Sequence, residues 1–184
     1  MVGETVSVIV VKARWAYGEL ASKRFARVYA GKGPRHLYQM AEEERPFSEV
    51  SEADHVVLAS MLNGARFPLM PLVELAQRYR CYSLTRGQLA QLWTIPYFGP
   101  LSQATPYIDF YLNTYNVENV RVLLDELKDV PLDSPFPAEH EPVIIGGVGA
   151  NQLLLEGYRR SIFFMRSTDP AARLRAWCPL VPIG

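Results

Sequence analysis

Hydrophobic and polar positions along this chain switch between a period of two and a helical period, and each switch marks an element. Residues 5–11 alternate and then fill with β-branched side chains, which predicts a strand. Tyr17, Leu20, Ala21, Phe25 and Val28 recur at helical spacing and predict a helix over 17–30, stopped at Gly31. Ser51, with an acid three places on at Asp54, marks a capped helix start. Val57, Leu58, Met61 and Leu62 form the buried side of that helix, and Gly64 stands at its expected stop. Pro71 falls in the first turn of a further helix, where its missing N–H costs nothing, with Leu72, Leu75, Ala76 and Tyr79 as the apolar stripe. Thr85 and Gln88 have capping-box spacing ahead of Leu89, Leu92 and Trp93. Two short helices between 72 and 93 have the outline of a helix-turn-helix, loosened by Arg80 where the turn commonly carries glycine. A plain packing pair has the same pattern and is the favoured alternative.

Two prolines and a glycine over 95–100 break both regular ladders and predict a loop or an edge. Tyr107, Tyr111 and Tyr115 would share one face of a helix; such faces stack on nucleobases, but a stripe of this kind is more often core. Asn116 is a cap candidate for a helix carrying Val117, Val120, Leu123, Leu124 and Leu127. The proline-rich stretch 129–141 is a connector. Val143, Ile144 and Ile145 predict a short buried strand, Gly146, Gly147 and Gly149 a tight reversal, and Leu153, Leu154 and Leu155 a second strand. A helical pattern of Tyr158, Ile162 and Met165 follows at once. Leu180 and Val181, bracketed by prolines, predict a last edge strand. These elements together predict an α+β fold, a small mixed sheet with helices gathered around it.

Composition narrows the function classes more than it selects one. The 184 residues fit a single domain, 1–184, with a strand and helical region over 1–116 and a second stretch over 117–184. Formal net charge is zero, so attraction to nucleic acid or anionic membrane has to come from local clusters. One such cluster is Lys23, Arg24, Arg27, Lys32 and Arg35, which reads as a phosphate-facing surface or, more simply, as a solvated helix face. The acidic stretch 40–54 reads in the same way as a solvated surface, although paired carboxylates can also hold magnesium or move protons. His55 falls in the first turn of the helix capped by Ser51 and is expected to be a surface or cap-adjacent residue, not a ligand. The two cysteines and three histidines are scattered without metal-ligand spacing. No apolar run is long enough to span a bilayer, and residues 1–15 lack the basic start and long apolar stretch of a secretory signal. A cytoplasmic protein without membrane partners is expected.

The chain has no P-loop, no dinucleotide fingerprint and no nucleophile elbow. What remains is Glu156-Gly157-Tyr158-Arg159-Arg160-Ser161, where a strand ends in a glycine and a helix begins. Such a junction gathers backbone N–H groups and the positive end of a helix dipole. Arginine adds a planar fork that matches phosphate oxygens. Glu156 is open to three roles: general base, metal ligand or salt-bridge partner of an arginine.

At these residues the chain resembles the ParB/sulfiredoxin-like superfamily, whose hallmark is a strand running into Asp-Gly-x-His-Arg and then a helix. The matching positions are Glu156, Gly157, Tyr158, Arg159 and Arg160, and the resemblance covers residues 117–184. Glutamate replaces the aspartate and Arg159 the histidine. Tyr158 stands where sulfiredoxin carries its cysteine, which argues against thiol repair. The resemblance implies a ParB-like core preceded by a helical part. It also implies nucleotide or phosphate binding through Gly157, Arg159, Arg160 and Ser161, with Glu156 as the catalytic candidate. A nucleoside triphosphate and magnesium are the cofactors it allows, and nucleic acid is an allowed partner. Family members hydrolyse or transfer phosphate or cut DNA; a non-catalytic DNA- or protein-binding module of the same fold is the alternative.

Overall fold

The computed structural model describes residues 3–22, 25–66, 69–94, 118–119, 142–148, 151–157, 160–161, 164–165 and 169–180. Within them the chain is α+β. Seven strands form one mixed sheet: β1 Thr5–Ser7, β2 Arg78–Leu84, β3 Trp93–Thr94, β4 Glu118–Asn119, β5 Ile144–Val148, β6 Asn151–Glu156 and β7 Leu174–Pro179. Their order is β1-β2-β7-β5-β6-β3-β4. Neighbours are antiparallel except at β5 with β7 and β3 with β6, which run parallel. The helices are α1 Val8–Ala21, α2 Arg35–Glu42, α3 Glu52–Ala65, α4 Met70–Glu74 and α5 Arg86–Ala90.

Period-two alternation along the central strands divides the core between the two faces of the sheet. Tyr79, Cys81, Trp177, Ile144, Leu153 and Leu155 join one cluster with α1, α2, α3 and α4, through side chains such as Trp15, Leu37, Leu58 and Leu72. Cys178, Ala176, Leu174, Ile145 and Leu154 join the other with Leu89 of α5, Leu92 and Phe164. The two cysteines therefore lie on opposite faces, and both are buried free thiols. Burial pushes the Cys178 thiol up to about 12.

Local signals place several elements as expected. Ser51 Oγ accepts a hydrogen bond from Asp54 N at 3.1 Å and caps α3, on which Leu58, Met61 and Leu62 are buried. Gly64 does not end that helix, which continues to Ala65. Thr85 and Gln88 form a reciprocal capping box at α5, and Pro71 occupies the first turn of α4. The glycine-rich stretch makes the expected hairpin of β5 with β6, in register Gly147↔Gln152 and Val148↔Asn151. Gly147 takes a positive φ of 83° there. Gly146 serves packing instead: a Cβ would come within 2.9 Å of the Leu72 carbonyl oxygen, so α4 rests directly on β5.

Several expectations are corrected. The strand over 5–11 stops at Ser7, which caps α1 by accepting from Val10 N at 3.5 Å. The β-branched run that follows is helical because ten of the fourteen residues of α1 are buried; burial on nearly every side erases the one-faced pattern and overrides propensity. The helix over 17–30 ends at Ala21, and Val28 lies in a separate 3₁₀ turn, Ala26–Tyr29. The pair of helices between 72 and 93 is interrupted by β2, so no helix-turn-helix forms. Tyr79 and Cys81 alternate into the core there. Among the described residues the last strand is Leu174–Pro179, in the interior of the sheet between β2 and β5; Leu180 follows it outside any strand, and Val181 lies outside the described residues.

Glu118 and Asn119 are extended and pair with β3, where a helix was expected from Asn116. The rest of that helix, the tyrosine face at 107–115, the loop at 95–100 and most of the connector lie outside the described residues, as do Lys23 and Arg24. One sheet draws β1, β2 and β3 from residues 1–116 and β4 to β7 from residues 117–184. Among the described residues no helix is long and apolar enough to cross a membrane.

Candidate functional site

β6 delivers Glu156 to the end of the sheet, and Gly157 turns the chain with φ at +93°. Space as well as conformation demands glycine: a Cβ would lie 2.7 Å from Val143 Cγ2. Helical backbone follows at Arg160 and Ser161 and again at Phe164 and Met165. Ser161 N donates to Gly157 O at 2.8 Å, the first helical bond after the strand. The expected strand–glycine–helix junction is therefore present.

The site residues differ in their surroundings. Glu156 is half-buried, and its Oε1 accepts from the Gly157 N–H at 3.0 Å. Arg160 is half-buried. Ser161 is 1% exposed, and its hydroxyl has no hydrogen-bond partner. Arg159 and Tyr158 lie outside the described residues. A buried hydroxyl without a partner is uncommon, because an unmade hydrogen bond costs about 1–3 kcal/mol. Ser161→Ala is accordingly expected to raise the thermal midpoint of the ligand-free protein in a melting experiment. A fall would mean that the hydroxyl is satisfied within the fold.

Sequence reasoning missed a buried carboxylate with several donors. Glu19, only 3% exposed, accepts from Trp15 Nε1 at 3.1 Å, from Tyr29 OH, and from Arg66 Nε and Nη2 at 2.9 and 2.5 Å. Phe25 covers the Arg66 guanidinium at 4.8 Å. Burial pulls the Arg66 guanidinium down, but the Glu19 hydrogen bond and the charges of Glu19 and Glu156 outweigh it, and the net shift is upward. Burial and Glu19 together push the Tyr29 hydroxyl up, so it stays a donor. Glu156 contributes to both shifts, which puts its carboxylate within electrostatic reach of this network. Trp15 and Glu19, four apart on one helix, carried a local signal; Arg66, forty-seven residues on, carried none.

Lys12, another buried charge, donates to Asn63 Oδ1 at 3.0 Å and pairs with Glu74. His55 is not simply a surface residue. Its ring stacks on Phe47 at 4.9 Å, and its Nε2 is buried without a partner. Burial, then the charge of Arg14, holds His55 below its usual value against the opposing pull of Glu52 and Asp54. A base with a lowered folded pKa binds fewer protons folded than unfolded, so its contribution is complete above the unfolded value of about pH 6.5 and is lost as pH falls from there through the lower folded value. Asp54, held low by the Ser51 hydroxyl and His36, titrates below that window. Urea melts at pH 7.5 and 5.5 should therefore show a smaller acid loss for His55→Gln than for the parent. Equal losses would place the ring in solvent.

No protein-family model, no curated protein and no solved structure matches this chain. Among the described residues no group of three acids, histidines or cysteines is placed to hold a metal ion.

Proposed function

We propose that this chain is a nucleotide- or phosphate-binding domain of ParB-like architecture. Its ligand sits where β6 passes through Gly157 into the helix that bears Arg160 and Ser161. The observation that carries this is the buried Ser161 hydroxyl, unpartnered one turn beyond a positive-φ glycine and beside Arg160. Phosphate oxygens would supply the acceptor that the hydroxyl lacks, and the guanidinium would supply charge. Arg159 belongs to the same ligand set through the resemblance. Because Ser161 is closed from solvent, a ligand reaching it displaces side chains that now cover it. The chemistry proposed is phosphoester hydrolysis, phosphotransfer or nucleolytic cleavage, with Glu156 as base or magnesium ligand. A cytoplasmic setting fits the two buried free thiols.

A second reading is a non-catalytic module of the same fold that binds DNA or protein. It is favoured by the Glu156 carboxylate itself, which clamps the Gly157 N–H at 3.0 Å. A thermal-shift screen of nucleotides with and without magnesium tests both, since binding raises apparent stability by mass action. Turnover of a stabilising nucleotide supports the enzyme, and stabilisation without turnover supports the module. No shift with any nucleotide or phosphate would sink both. Nucleic-acid binding, if it occurs, should weaken steeply with salt as counterions are released.

A further inference from the structure

Arg14, on α1, lies against two aromatic rings. Its guanidinium carbon is 4.4 Å from the centre of Phe47 and 5.0 Å from that of Trp177. The Phe47 ring is stacked in turn on His55 and meets Tyr17 edge-on at 5.8 Å. Elsewhere in the described core a buried cation is bonded to an acid: Lys12 to Glu74, and Arg66 to Glu19. Arg14 is not. The acid nearest to it among the described residues is Glu4, with Oε1 at 3.8 Å from Nη2, beyond hydrogen-bond distance, and with a side chain 54% exposed. The buried Nε has no acceptor at all, nor does the buried Nε2 of His55. Burial first, and then the like charge of Arg175, pull the Arg14 guanidinium down against the opposing pull of Glu4 and Cys81, and Arg175 lies two residues from Trp177 on β7. With its ion pair to Glu4 long and half-exposed and its Nε left without an acceptor, this guanidinium has only part of the compensation that burying such a charge normally requires.

We propose that Arg14 is an oxyanion-binding site. Its guanidinium, flanked by Phe47 and Trp177, takes a small phosphate or carboxylate group, and Arg175 supplies a second positive charge. Rings that cover the faces of a guanidinium leave its edge, where the N–H groups lie, for a bidentate partner. Its side chain is one-quarter exposed, so part of it meets solvent, while Nε itself is closed off and an anion reaching it displaces the groups that cover it. The set shares no residue with Glu156, Gly157, Arg159, Arg160 and Ser161, so the inference stands apart from the proposed function.

The test is a titration of the full chain with inorganic phosphate and, separately, with acetate. It is read by thermal shift and by the Nε–H resonance of Arg14 in a spectrum of nitrogen-15 arginine-labelled protein. Phosphate should stabilise the parent and shift the Arg14 resonance. Arg14→Gln should weaken phosphate at least about tenfold, as expected for losing one charge-assisted contact. Arg14→Lys should keep part of the affinity, and Arg160→Ala should leave the Arg14 response unchanged. A response to acetate at equal concentration would assign a carboxylate group to the site, and a response to phosphate alone a phosphate group. The proposal is overturned if neither anion moves the Arg14 resonance of the parent, which needs no variant to fold. It is also overturned if Arg14→Gln binds phosphate as the parent does, or if stabilisation by phosphate disappears with Arg160→Ala instead.

Discussion

Arg66→Ala should lower the folding stability by about 3–5 kcal/mol, the range for stripping one partner from a buried ion pair. The guanidinium gives Glu19 two hydrogen bonds, at 2.9 and 2.5 Å, while Glu19 is only 3% exposed. Without it the carboxylate keeps the Trp15 indole and the Tyr29 hydroxyl as donors but has no bonded cation. Domains of this kind hold roughly 5–15 kcal/mol in all, so the single change would remove a large share. Phe25 would also lose the cation over its ring. The double variant Glu19→Gln with Arg66→Met should recover part of the loss, since a neutral pair no longer strands a charge. Urea denaturation of the parent, the two singles and the double gives the coupling directly. A loss under about 1 kcal/mol for Arg66→Ala would mean that the pair is solvated, as surface pairs are.

Arg160→Ala should weaken a phosphate-bearing ligand on the order of a hundredfold. A charge-assisted hydrogen bond to an ion is worth roughly 1.5–3 kcal/mol, and a bidentate contact carries two. Lysine should restore only part of the affinity, because it keeps the charge and loses the fork. Arg160 is half-buried, so the fold should survive the change, and a melting curve checks that alongside the binding isotherm. Glu156→Gln separates the roles left open for the carboxylate. A base or metal ligand would lose turnover and keep binding, whereas a clamp on the Gly157 N–H would lose stability. Were Arg160→Ala to unfold the protein, or bind as the parent does, Arg160 would be a structural partner and the ligand would sit elsewhere.

What the chain declares by itself is local. Ser51 and Thr85 cap their helices through residues three places on. The glycines at 146 and 147 lie in a hairpin whose second strand ends at Glu156, and Gly157 turns that strand toward the helix of Arg160 and Ser161. Each of these hydrogen-bonded groups has its partner a few residues away, so the pattern and the structure carry the same information.

Pairings between distant segments had no such trace. A stretch with a helical stripe became β2 because β1 and β7 lie on either side to take its backbone hydrogen bonds. Of its stripe, Leu72 of α4, Ala76 just after it and Tyr79 of β2 are buried, while Leu75 is exposed. The tail became an interior strand for a related reason. Trp177 N bonds Val143 O at 2.8 Å, and Leu180 N bonds Arg78 O at 2.8 Å, contacts that no local period encodes. The β-branched start of α1 looked like a strand because a helix buried on nearly all sides shows no polar face to reveal its period. The charged core was hidden in the same way. Glu19 with Arg66, Lys12 with Glu74, and Arg14 with Trp177 each join residues far apart along the chain. Only when the helices close over the sheet do Glu19 and Lys12 leave water, and their burial then demands a partner for each of these two charges.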